Sequence, residues 1–373
     1  VHLYRPFSAK HFLRVLPKTV KKIAVLDRTK EAGASGEPLY LDVLKTVKDV
    51  NDKIRVFGGR YGLSSKNTTP AMIKGVFDFL DVKECHTNFT VGIDDDVTNL
   101  SIKYDPKFKL PTTNTGFLIY GYGSDGMVSA SKDLMKITGT YTNAYVQGYF
   151  KYDSKKSGGV TISNLRFGKN PIKSTYYVEK AKLIVCTKDS YLQKMHILDA
   201  IDNNGIFLLN TKKDKNQILK YLTNYDKNIL KKRNVKFYIV DASLIAKENG
   251  IDGKISTIME TLIFKLGKII DFDFALKQIK DNIALRFKNK GDDVVKRNIL
   301  SVDSCVNKYE QVKIPDVTYV PEMKGDLDTF EVIEQMEGNS LPVSKFLNSS
   351  DGSLEAGTSK REKRNISDTC PHY

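Results

Sequence analysis

The chain has no tryptophan, only four cysteines and only five histidines among 373 residues, and each shortage removes a class of function. Cys85, Cys186, Cys305 and Cys370 stand far apart and form no C-x-x-C pair. Nothing in this pattern suggests a disulfide framework, so a reducing interior compartment is expected. No histidine stands at a metal-type distance in sequence from a cysteine, which argues against structural zinc. No apolar run reaches the roughly 18–20 residues of a membrane helix, so no membrane partner is expected. Val1-His2-Leu3-Tyr4-Arg5-Pro6-Phe7 has no starting Met, basic n-region or apolar h-region, so it is not read as a signal peptide. The chain reads as an internal piece of something longer, beginning inside a strand.

What is present is enough for two or three domains, with hydrophobic residues at 40% to build their cores. The formal charge is +15. Nucleic-acid binding is one reading of that excess. Solvated faces of a lysine-rich chain are a second, and attraction to a polyphosphate ligand is a third. The lysines are scattered and no arginine-rich stripe stands out, so nucleic acid is not the expected partner.

Residues 1–105 alternate strands and helices: strands at 23–26, 54–57 and 89–93, helices at 37–50 and 70–80. Gly58-Gly59-Arg60-Tyr61-Gly62 reads as a loop. This rhythm predicts a parallel sheet with helices on both faces. A proline-bearing linker at 104–113 leads to a second α/β unit that closes near Val312, with strands at 117–120, 144–152, 160–166, 183–186, 206–209 and 236–240. Its helices are expected at 128–138, 216–222, 255–266 and 272–280. From Lys313 prolines and a Ser/Asn run predict an irregular segment that drapes over its neighbours. The fold class is α/β, two successive domains with mainly parallel sheets and an irregular C-terminal extension, divided at 1–105, 113–312 and 313–373.

Two turns could hold an anion. Gly121-Tyr122-Gly123-Ser124-Asp125-Gly126 follows an apolar strand and precedes a helix, where glycines let backbone N–H groups approach a phosphate. Glycines placed only for packing explain it as well. Asp153-Ser154-Lys155-Lys156-Ser157-Gly158-Gly159 sets two cations among small hydroxyl residues, as an anion nest or as a solvated hairpin turn. If both turns sit at one sheet edge they grip a polyphosphate from two sides, and Arg166, at the end of the next strand, joins them. Asp153 lies later than a dinucleotide fold places its ribose-binding acid. Asp94-Asp95-Asp96 reads as a loop or cap rather than a cation site. Cys85-His86 lacks a third orienting group for nucleophilic catalysis, and Cys186 reads as a core residue. No catalytic residue and no metal ligand is expected in this stretch.

Several segments resemble the pyruvate:ferredoxin (flavodoxin) oxidoreductases. Arg5-Pro6-Phe7, Leu26-Asp27-Arg28-Thr29-Lys30, Gly36-Glu37-Pro38-Leu39-Tyr40, Gly58 through Lys66 and Phe89 through Thr98 look like the family's transketolase C-terminal-like second domain. Gly123-Ser124-Asp125-Gly126, Tyr152 through Gly159 and Leu165-Arg166-Phe167-Gly168 look like its gamma-type third domain. Leu341-Pro342-Val343-Ser344 and Gly357-Thr358-Ser359 before Glu362-Lys363-Arg364 match the Glu-Lys-Arg element that follows. The resemblance implies an enzyme that oxidatively decarboxylates pyruvate on thiamine diphosphate and Mg, sends electrons through 4Fe-4S clusters to ferredoxin or flavodoxin, and passes the acyl group to coenzyme A. It implies that thiamine and the clusters belong to the remaining domains of the parent polypeptide, that this piece is inactive alone, and that coenzyme A is its own ligand. Gly123, Ser124, Gly126, Lys155, Lys156, Ser157 and Arg166 would be the coenzyme-binding residues. Met127 departs from the family's frequent Thr, which removes a hydroxyl donor. Asp27, Arg28 and Lys30 are expected to brace a strand end. The parent is expected to be a homodimer of the cytoplasm or of an anaerobic mitochondrion-related organelle. An NADP-linked version of the enzyme and a free-standing basic nucleotide- or nucleic-acid-binding module remain as alternatives.

Overall fold

The computed structural model describes residues 3–153, 159–316 and 328–358. They fall into two compact units, one within Val1–Pro111 and Leu327–Ala356, the other within Thr112–Asp326 and Gly357–Tyr373.

The first unit runs α1 (Ala9–Val15), β1 (Lys22–Asp27), α2 (Pro38–Lys48), β2 (Arg55–Arg60), α3 (Pro70–Asp81) and β3 (Phe89–Thr90). Its three strands pair in parallel in the order β1-β2-β3. α2 and α3 each have proline in the first turn, where the missing N–H costs nothing. Val25, Val56, Tyr40, Val43 and Val47 make one core cluster, and Phe57, Val76, Phe89 and Val91 make another. Gly58 and Gly59, expected in a loop, belong to β2. The reason is lateral space: a Cβ on Gly58 would lie 2.8 Å from the Tyr40 ring and one on Gly59 2.2 Å from the Phe89 ring. The glycines are strand residues that let two aromatic rings lie on the backbone. Strand 89–93 is shorter than expected, with only Phe89–Thr90 in the sheet. Residues 328–356 belong to this unit: Val343 N donates to Asp94 O at 2.9 Å and Ser344 N to Asp96 Oδ1 at 2.9 Å.

The second unit begins with β4 (Thr115–Tyr122), α4 (Met127–Tyr141), β5 (Tyr145–Tyr152), β6 (Val160–Gly168), β7 (Ala181–Cys186) and β8 (Ile201–Asn210). It continues with α5 (Lys215–Tyr221), α6 (Asn224–Lys232), β9 (Lys236–Val240), α7 (Ala242–Glu248), α8 (Ser256–Gly267), α9 (Phe272–Phe287), α10 (Asp292–Cys305) and β10 (Glu310–Val312). The seven strands follow the order β10-β9-β8-β7-β4-β6-β5. β4, β7, β8 and β9 are parallel, while β6 pairs antiparallel with both β4 and β5, and β10 antiparallel with β9. Phe117, Ile119, Leu183, Val185 and Leu208 face a helical layer supplied by Met127, Leu134, Ile258, Leu262, Ile279 and Val302. α8 is apolar almost all round, and Thr257 through Phe264 are all buried, as a helix enclosed in a core requires. On the other face of the strands Phe207 and Phe237 stack at 5.0 Å. α1, α6, α7 and α10 come from stretches that the sequence pattern did not mark.

Candidate functional site

The carboxyl ends of β4 and β7 lie side by side, and the strand order reverses there. From β4 the chain goes through α4 to β5 and β6, then returns to β7 on the opposite side of β4. Open α/β sheets bind ligands at this kind of crevice.

The glycine turn stands at its lip. Tyr122 N donates to Asp125 Oδ2 at 2.7 Å, Asp125 N to Tyr122 O at 2.9 Å, and Met127 N to Asp125 Oδ1 at 2.9 Å. Thr187 Oγ1, just past β7, donates to Asp125 Oδ2 at 2.7 Å. One carboxylate therefore ties together the end of β4, the start of α4 and the end of β7. Burial raises the Asp125 pKa, opposed by the hydrogen bonds from Thr187, Met127 and Tyr122. Gly126 caps α4 at φ 83°, and a Cβ there would meet Ser256, the first residue of α8, at 3.0 Å. Ser124 also takes a left-handed φ, 77°, so the turn holds one strained non-glycine residue.

The second turn reaches the same edge. Tyr122 pairs with Val160 across β4 and β6, Gly123 N donates to Gly159 O at 2.8 Å, and Asp153 N donates to Val160 O at 3.0 Å. The Gly159 end of the lysine turn thus lies beside the glycine turn, and the Asp153 end lies at the same edge one strand further away, after β5. Lys155, Lys156 and Ser157 lie outside the described residues.

Arg166 does not join them, a correction to the expectation. It pairs with Gly116, six positions along β6 from Val160, or about 20 Å at strand rise. Its buried guanidinium donates to Gln147 Oε1 at 3.0 Å, Tyr176 O at 2.6 Å and Tyr177 O at 2.8 Å. β6 runs against β4, so the end of β6 lies at the opposite edge of the sheet.

Sequence reading missed the β7 and β8 side. Lys188 Nζ sits 4.3 Å from the centroid of the Tyr122 ring. Asp189 Oδ2 accepts from Thr211 Oγ1 at 2.7 Å and from Lys213 Nζ at 2.6 Å. Asn210 bridges the strand ends, with Nδ2 donating to Thr187 O at 3.0 Å and Oδ1 accepting from Ala242 N at 2.9 Å. The available signal was positional: these are the first polar residues after buried strands.

The remaining candidates have structural work. Asp27 accepts from Leu39 N and Tyr40 N, both at 3.0 Å, and so caps α2 from the end of β1. Arg28 Nε donates to Gly62 O at 2.9 Å, and buried Glu37 pairs with Arg60 while accepting from Glu31 N at 3.0 Å. Asp95 accepts from Val97 N, Thr98 N, Thr98 Oγ1 and Leu100 N, and these bonds hold its pKa at about 2. His86 rests edge-on against Phe79, while the Cys85 thiol donates to Phe79 O at 3.3 Å. Cys186 is fully buried and its pKa is pushed up to about 12 by desolvation. Among the described residues no group of three or more His, Cys, Asp and Glu side chains could hold a metal ion, and no residue is assigned to a cluster. No described helix is long and apolar enough to cross a membrane.

Fold and edge together define an α/β domain of the class that presents its ligand at the carboxyl ends of sheet strands. The family model described as pyruvate ferredoxin/flavodoxin oxidoreductase matches residues 116–307, and the chain belongs to that family. A second model, described as a domain of unknown function, matches residues 328–367. The pyruvate:ferredoxin oxidoreductase of Moorella thermoacetica is 44% identical over all of this chain and 33% of its own length. The pyruvate-flavodoxin oxidoreductase of Trichormus variabilis is 41% identical over all of this chain and 32% of its own. The chain thus spans about a third of the length of these relatives. A pyruvate oxidoreductase subunit PORC of Thermotoga maritima is 21% identical with a TM-score of 0.44, covering 54% of this chain and 100% of that one.

Proposed function

We propose that this chain is the part of a pyruvate:ferredoxin or pyruvate-flavodoxin oxidoreductase that receives coenzyme A. The parent enzyme converts pyruvate and coenzyme A to acetyl-CoA and CO2, and two electrons leave through iron–sulfur clusters to ferredoxin or flavodoxin. Thiamine diphosphate and the clusters belong to the parent's other domains. In this reading the coenzyme lies against the backbone of Gly123, Ser124 and Gly126, with the Gly123 N–H itself held by Gly159 O, while Lys155, Lys156 and Ser157 meet its phosphates.

The observation that carries the reading is the hydrogen bond from Gly123 N to Gly159 O at 2.8 Å. It brings the glycine turn and the end of the lysine turn to one edge of one sheet, where a ligand with a diphosphate and a ribose phosphate spans both. Arg166 has no part in it.

The test is a titration of the isotope-labelled 373-residue chain with coenzyme A, read by amide NMR. The Gly123, Gly126 and Gly159 signals are expected to move in a saturable way. No movement at millimolar coenzyme overturns the reading. Salt-sensitive retention on duplex DNA without any coenzyme response would instead identify a basic nucleic-acid-binding module.

A further inference from the structure

The crevice between β4 and β7 has an unusual distribution of charge. A glycine turn ahead of a helix normally offers its N–H groups to a phosphate. Here the chain's own carboxylate takes two of them: Asp125 accepts from Tyr122 N and Met127 N. With a carboxylate at the start of α4, positive charge for an anion must come from side chains.

Across the crevice stand two lysines with opposite circumstances. Lys213 is neutralised, with its ammonium 2.6 Å from Asp189 Oδ2 and 4.3 Å from the Tyr221 ring centroid. Lys188 is half-buried, and among the described residues its ammonium has no carboxylate within ion-pair distance. It is held over the Tyr122 face, a contact that orients a cation without consuming its N–H donors. The backbone around Lys188 is fixed as well. The Cys186 thiol donates to Lys188 O at 3.1 Å, and on its two sides Thr187 is bound to Asp125 and Asp189 to Thr211. The result is a pre-positioned, uncompensated ammonium directly beside the glycine turn.

We infer that Lys188 is a phosphate ligand of this site, holding a phosphate of the coenzyme in the β4/β7 crevice with Tyr122 as its platform. The assignment rests on the coenzyme reading above and adds a residue that lies on neither of the two turns. It also assigns Asp125 a selective part: its carboxylate excludes phosphate from the first turn of α4, so the anion lies toward β7.

The test is calorimetric titration of the 373-residue chain and its variants with coenzyme A and, separately, with inorganic pyrophosphate, circular dichroism verifying that each variant is folded. Lys188→Gln is expected to weaken coenzyme A about tenfold or more, the scale of one charge-assisted hydrogen bond. Lys188→Arg should restore most of the affinity. Lys182→Gln removes the same charge from the amino end of β7, where Lys182 Nζ donates to Asn204 O at 2.9 Å, and should change nothing. Wild-type binding that Lys188→Gln leaves intact, or that Lys182→Gln weakens equally, overturns the assignment. Pyrophosphate binding lost in Lys188→Gln, without any coenzyme A binding, would sink the coenzyme reading while leaving Lys188 as an anion ligand. Binding of neither probe sinks both.

Discussion

Replacing Asp125 tests how the candidate edge is built. Its two oxygens serve three donors: Tyr122 N at 2.7 Å, Met127 N at 2.9 Å and Thr187 Oγ1 at 2.7 Å. Met127 and Thr187 are buried, so in Asp125→Ala their donors lose their acceptor where water enters poorly. Each buried orphan costs about 1–3 kcal/mol, while the more accessible Tyr122 N–H recovers a water. The expected total is about 3–4 kcal/mol. With a urea m-value of about 2 kcal/mol/M, that moves the midpoint down by about 1.5–2 M, read by circular dichroism. Asp125→Asn keeps one acceptor oxygen and should cost only about 1–2 kcal/mol. The pH dependence adds a second check. Burial raises the folded-state pKa of Asp125, so its contribution is fully present below the unfolded carboxyl value and is lost as pH rises through the folded one. The wild-type advantage over Asp125→Asn should therefore be larger at pH 4 than at pH 7. An Asp125→Ala midpoint equal to wild type would refute the bridging role, and an advantage that grows with pH would show that the three hydrogen bonds outweigh burial at this carboxyl.

Three further outcomes follow from the same physics. Glu260 on α8 is buried, and desolvation together with nearby Asp133 pushes its pKa well up, against the pull of Arg286. Its contribution is present below the unfolded carboxyl value and lost as pH rises, so Glu260→Gln should flatten the decline of the urea midpoint between pH 5 and pH 8; an unchanged slope would contradict this. Asp27→Ala removes a buried cap from the start of α2 and should cost about 2–3 kcal/mol, with Asp27→Asn between it and wild type, measured by urea unfolding. Asp95, held at about 2 by its bonds from the 97–100 loop, contributes stability that is present above the unfolded carboxyl value and lost as pH falls toward 2. Asp95→Ala should speed amide exchange of Thr98 and Leu100 at neutral pH, and unchanged protection there would show the loop does not depend on it.

The alternation of strands and helices was legible because apolar runs such as Ile23 to Leu26 and Leu183 to Cys186 are separated by turns rich in small and polar residues. Strand direction was not. Nothing local to the stretch from Val160 to Arg166 says that it pairs antiparallel with β4, and that single fact moves Arg166 to the far edge of the sheet. Gly58 and Gly59 misled for a related reason, since the rings that need their missing side chains, Tyr40 and Phe89, are remote in sequence. α6 and α10 escaped because polar and charged residues make up most of both, down to buried Asp226 in α6 and buried Asn298 and Ser301 in α10, leaving few apolar positions to set a helical period. At the candidate edge the glycine turn could be read from its own residues. The part played by Asp125, and the charge left on Lys188 while Lys213 is neutralised, depend on Thr187, Asp189 and Tyr122 meeting in space.

The most direct measurement is deuterium exchange of the 373-residue chain with and without saturating coenzyme A. Slower exchange should be confined to peptides covering 121–127, 153–159 and 187–189. Coenzyme A that binds yet protects only segments away from the carboxyl edge of the seven-stranded sheet would contradict the site.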